Sequence, residues 1–70
     1  MNSWPAAKAK RVLIALFHIG WQIKRRTGSH SVLEKVGQPD YVWAFHDKEE
    51  IGPRMLARIA KKTGLKPEDL

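Results

Sequence analysis

The chain has 70 residues, with 13 Lys and Arg against 7 Asp and Glu, a formal net charge of +6 and no cysteine. That length leaves no room for a second domain and buries only about 60% of the unfolded surface. The absence of cysteine excludes disulfides and thiolate metal ligands and fits a reducing cytoplasm. The basic balance favours a polyanionic partner, whether nucleic acid, an acidic membrane surface or an acidic protein.

At the start, residues 1–5 read either as a disordered end or, through Trp4, as a small cap on the core. From near Pro5 to just before Gly20 the spacing predicts an amphipathic helix. Placed at about 100° per residue, Ala9, Val12, Leu13, Leu16 and Phe17 fall on one arc, with Arg11 and His18 opposite. His18 therefore points to solvent, and Gly20 suits the position past the helix end. Lys8, Lys10 and Arg11 ahead of an apolar run resemble the start of a signal peptide. The run Val12 to Phe17 is six residues long and lacks a small-residue cleavage pattern, so neither secretion nor a membrane span is expected.

Three strands follow. Trp21 and Ile23 alternate with Gln22 and Lys24, the pattern of a half-buried strand over Trp21–Arg25. Thr27-Gly28 reads as a hairpin turn, and His30 to Val36 as a second strand of open register. Gly37-Gln38-Pro39-Asp40 is a loop rich in breakers. Tyr41 to Phe45 is the clearest strand, with aromatics at period two; counted outward from the loop, Val36 opposes Tyr41 and residue 31 opposes His46. The aromatic stripe is assigned to the core rather than to base stacking.

Gly52 and Pro53 mark the start of a second helix, and Gly64 its end, with Leu65 folding back on the last turn. Met55, Leu56, Ile59 and Ala60 share one face, and Arg54, Arg58 and Lys61 the other. The order α-β-β-β-α with short connections implies an α+β fold. In it a three-stranded antiparallel meander carries both helices on one face and leaves the other face open. Trp21, Ile23, Leu13, Leu16, Leu56 and Ile59 are the expected core.

Gly20 and Trp21, then Arg25, then Gly28-Ser29-His30, a later His46, Pro53, and the helix ending Leu56, Ile59 and Gly64 form a pattern. It resembles the HicA toxins of bacterial toxin–antitoxin systems, from about Lys8 to Leu70. Two positions depart from that pattern. Ala44 stands where a proline is usual two residues before the later histidine, and Arg54-Met55 where Gly-Thr is common. The resemblance implies a double-stranded-RNA-binding-like domain that cleaves mRNA in the cytoplasm, and a HicB-type antitoxin that covers its active site.

The chemistry this asks for needs no metal and no cofactor. The 2′-hydroxyl of RNA can attack the adjacent phosphate if one group takes its proton, another protonates the leaving 5′-oxygen, and positive charge faces the phosphate. Imidazole suits proton transfer near neutral pH. His30 is the expected general acid or base, with His46 as a possible second group. Arg25 and the Gly28 and Ser29 amides are placed to meet the phosphate, and Arg54, Arg58 and Lys61 to track the RNA backbone. A metal site is disfavoured, because only Asp47, Glu49 and Glu50 stand near His46. Two other functions compete: a non-catalytic RNA- or DNA-binding module of the same fold, and a basic interaction protein for an acidic partner.

Overall fold

The computed structural model describes residues 4–70, in the order β1 (Ala7–Lys8), α1 (Ala9–His18), β2 (Gln22–Thr27), β3 (His30–Glu34), β4 (Tyr41–Trp43), β5 (Glu50–Ile51) and α2 (Pro53–Thr63), with a closing 3₁₀ turn at Pro67–Asp69. Strands β2, β3 and β4 form an antiparallel meander in that order. The fold class is therefore the expected one: α+β, with two helices and a three-stranded antiparallel sheet. Of residues 1–5, read as either a disordered end or a cap, residues 1–3 lie outside the described residues. Trp4 is half-buried against the core, which favours the capping role over disorder.

The first helix starts later than its apolar periodicity suggests. Ala7 and Lys8 are extended and pair with Ile51 and Glu50, a two-stranded ribbon that the sequence pattern does not announce. Helix α1 begins directly after it, without a side-chain cap. Two amide donors of its first turn are met by distant backbone instead, Ala9 N–H by the Glu49 carbonyl at 2.8 Å and Lys10 N–H by the Asp47 carbonyl at 3.1 Å. Those amides have no partner inside their own helix, so the segment before β5 caps α1.

Helix α2 follows its local signals closely. Gly52 occupies the cap, Pro53 the first turn, and Gly64 ends the helix in the left-handed region at φ 81°. Leu56, Ile59 and Leu65 are buried as expected, while Met55 lies on the surface and Thr63 takes a core position. The Thr63 hydroxyl donates to the Ile59 carbonyl at 2.8 Å and accepts from Leu65 N–H at 3.3 Å. Its polar atoms are thus satisfied inside the core, as burial demands.

One core joins both helices to one face of the sheet. Val12, Ala15 and Leu16 from α1 meet Leu56 and Ile59 from α2, over Trp21, Leu33 and Trp43. Leu13 and Ile23 pack at its margin, half-buried, and Phe17 is largely at the surface. The buried arc of α1 is therefore rotated toward Ala15, away from Leu13 and Phe17.

The register of the second hairpin differs from the outward count. Leu33 pairs with Tyr41, Val32 with Val42 and Ser31 with Trp43. Strand β3 ends at Glu34, and Val36 lies fully exposed in a wider loop. Pairing Val36 with Tyr41 would shift the strands by three residues. An odd shift turns Trp43 to the face opposite Leu33, because side chains alternate across a strand. Both residues are buried in the same core, so only the observed register serves them.

Candidate active site

Strands β2 and β3 close through Gly28 and Ser29, one residue later than the Thr27-Gly28 turn read from sequence, with Thr27 paired to His30 across the turn. Gly28 has φ 59°, as a two-residue hairpin asks of its first central residue. A Cβ there would meet nothing within 4 Å, so glycine is required by the backbone and not by space.

Strand alternation then sorts the side chains near the turn. Leu33 is buried on the helix side, which puts Ser31 on that side and His30 and Val32 on the open face. Arg25 pairs with Val32 and Thr27 with His30, and partners directly opposite point the same way. Arg25 and His30 therefore share the open face as diagonal neighbours. Both side chains are exposed, and neither side chain forms a hydrogen bond or ion pair among the described residues. A bulge between Ile23 and Arg25 makes this possible. The extra residue, Lys24, pairs with Asp40 at 2.8 Å at the rim, and Arg25 returns to the face of His30.

On the helix side of the same turn a groove of about 410 Å³ runs between α1 and the hairpin end. Lys10, Leu13, Ile14 and Phe17 of α1 form one wall. Arg26, Ser29 and Ser31 form the other, closed below by Trp43 and Phe45 and at the end by His46 and Asp47. Trp43 and Phe45 meet edge to face with ring centroids 5.0 Å apart, so the floor is rigid and aromatic.

His46 lies past the end of β4, in a tight turn where its N–H donates to Glu49 Oε1 at 3.2 Å and its carbonyl accepts Glu49 N–H at 2.9 Å. The expected opposition of residue 31 and His46 does not occur, because residue 31 pairs with Trp43. His46 lines the groove and His30 does not, so the turn separates the two imidazoles onto opposite sides of the hairpin. Arg54, Arg58 and Lys61 are exposed on the side of α2 that faces away from the core, with the helix layer between them and His30. Sequence reasoning named Arg25 but missed Arg26 and Lys10, the cations of the groove. The alternation of β2 gives Arg26 away once the face of Leu33 is known.

Among the described residues no group of three or more His, Asp or Glu side chains gathers as metal ligands, and no helix is long and apolar enough to cross a membrane. Neither a curated protein nor a solved structure matches the chain. The family model described as the HicA toxin of bacterial toxin–antitoxin matches residues 9–65, from the first residue of α1 through the closing leucine after α2. Turn, sheet and both helices all lie inside that match, and the chain belongs to the HicA toxin family, the toxin half of toxin–antitoxin pairs, which implies a cognate antitoxin.

Proposed function

We infer that this toxin is a metal-independent endoribonuclease that cuts mRNA at the Gly28–His30 turn. The observation that carries the reading is the shared open face of His30 and Arg25, exposed and uncommitted beside a hairpin turn. The substrate's 2′-oxygen forms a bond to phosphorus as the bond from phosphorus to the 5′-oxygen breaks. The products are a cyclic 2′,3′-phosphate and a free 5′-hydroxyl. His30 carries a proton at one end of this exchange, and a guanidinium at Arg25 offsets charge growing on the phosphate. The Gly28 and Ser29 amides add dipoles beside it. One imidazole cannot serve both ends of a single step. His46 is the second candidate, but it lines the groove on the other side of the hairpin from His30.

Family membership supports a toxin with a cognate antitoxin. The finer reading is a HicB-type antitoxin that lays an acidic or apolar surface over the open face near His30. Exposed Val42 on that face, across Val32 from Arg25, gives such a partner both kinds of contact.

The test is cleavage of a long mRNA by purified toxin in EDTA, with an all-DNA substrate alongside. Cleavage should survive EDTA and spare DNA, which lacks the attacking hydroxyl. Added antitoxin should stop it. A protein that shifts RNA on a gel but never shortens it would instead be the binding module of the same fold.

A further inference from the structure

Apart from His46 at its end, the groove behind the turn has no part in this chemistry, yet it shares a wall with it. Ser29 lines the groove and His30 follows on the opposite face. A strand of RNA whose phosphate sits at the turn therefore has one neighbouring base within reach of the groove. On the α1 wall Ile14 and Phe17 stay 43% and 38% exposed while Ala15 and Leu16 beside them are buried. Phe17 and Phe45 both line the groove, and Lys10 and Arg26 add cationic charge to it.

We propose that this groove is a subsite for one unstacked nucleobase of the RNA substrate, held by Phe17 and Phe45 and read by the Ser31 hydroxyl. This rests on the endoribonuclease reading above and adds to it the choice of where the RNA is cut. Single-stranded RNA is recognised by splaying bases onto aromatic side chains and reading their edges with hydrogen bonds. The groove supplies each part: an aromatic floor, hydroxyls at Ser29 and Ser31, and cations to hold the adjoining phosphates. Charge favours this occupant over an acidic peptide only in combination with the rings. An acidic peptide would meet Lys10 and Arg26 but would also face Asp47 at the groove end, and it has no use for an aromatic floor. A base edge can donate an amino hydrogen to the Asp47 carboxylate.

The experiment uses the His30→Ala toxin, so that the RNA stays intact, and measures its affinity for a short single-stranded RNA by fluorescence anisotropy. An abasic nucleotide is walked along that RNA, which removes one base at a time and keeps every phosphate. At one position the abasic RNA should bind about tenfold more weakly, the loss expected of one stacked base. In His30→Ala/Phe17→Ala the same abasic change should cost almost nothing, since the stacking partner is already gone. Phe17 is a surface residue, and circular dichroism confirms the fold of the variant. In the His30 form, Phe17→Ala should also scatter the cleavage positions mapped on a long mRNA.

Equal affinity at every abasic position, or full additivity with Phe17→Ala, overturns the subsite while leaving the nuclease reading intact. Discrimination among abasic positions with no cleavage by the parent toxin keeps the subsite and removes the nuclease. If Phe17→Ala leaves RNA affinity and cut sites unchanged but abolishes capture of the antitoxin, the groove is an antitoxin seat and the proposal is wrong. Absence of any RNA binding overturns both.

Discussion

The indole N–H of Trp21 donates to the backbone carbonyl of Thr63 at 3.1 Å, inside the core and across 42 residues of sequence. Thr63 is the last residue of α2, where carbonyls lack partners within the helix. Trp21 thus ties the entry of β2 to the end of α2 and satisfies a group that burial would otherwise leave unpaired. Trp21→Phe removes the donor and also trims the buried bicyclic ring, leaving a small cavity whose cost adds to that of the lost bond. The substitution should destabilise the fold by at least about 1–3 kcal/mol, the usual cost of an orphaned buried acceptor alone. Urea midpoints of the two proteins measure this. An unchanged midpoint would mean that water reaches the Thr63 carbonyl.

His30→Ala should abolish RNA cleavage and toxicity with the fold intact. The residue is exposed, and the turn geometry is held by Gly28. Surface changes of this kind shift stability by about 0.5 kcal/mol or less. Loss of a general acid or base costs about 10²–10⁴-fold in rate. Melting temperature reads one effect and cleavage of a long mRNA the other. A variant that melts normally and cuts at the parent rate would make His30 a solvated turn residue. His46→Ala, measured beside it, shows whether the groove-side imidazole takes part.

RNA binding should weaken steeply with salt, and Arg25→Ala should flatten the dependence. Each phosphate contact on single-stranded RNA contributes a slope of about 0.7 in log K against log salt. Removing all three of Arg54, Arg58 and Lys61 should leave affinity for a short RNA at the turn unchanged, because they face outward from α2 beyond the helix layer. Only a long mRNA that wraps the domain should feel their loss. An equal effect on short and long RNA would place the principal RNA track on α2.

Tyr41 packs at the margin of the core, 6.4 Å from the Trp21 ring centre, and desolvation by burial raises its phenol above the ordinary value. Its contribution to stability is complete below the unfolded value of about 10 and is lost as pH rises through the folded one. Between those two values the unfolded chain ionises first and unfolding is favoured. Tyr41→Phe should therefore lose less stability than the parent on alkaline titration, with no difference at neutral pH. Parallel curves for the two proteins would show a phenol that ionises freely.

Much of the architecture is legible residue by residue. Gly52-Pro53 and Gly64 bracket α2 through backbone preferences that act within one turn of chain. The alternation of Trp21 and Ile23 marks the inner face of the first hairpin, and Gly28 permits its turn. The same local signals place His30 at the start of β3. Arg25 is legible as a nearby cation, but its side of the sheet is not. That side depends on the bulge at Lys24, which resets the alternation by one residue.

Local signals alone announce the two helices, the three strands of the meander, the turn before His30 to within one residue, and the family pattern that runs through them. Which residues meet across distance is settled by packing. It paired β3 with β4 so that Leu33 and Trp43 share one core, and that register carried His46 to the groove and away from His30. It also began α1 at Ala9 by pairing Ala7–Lys8 with Glu50–Ile51, some forty residues downstream, and gave Thr63 a core position beneath Trp21. Dihedral preferences and period act over a few neighbouring residues, whereas register, sidedness and capping by remote carbonyls are settled by the arrangement that buries the large side chains together and pairs the backbone groups it buries.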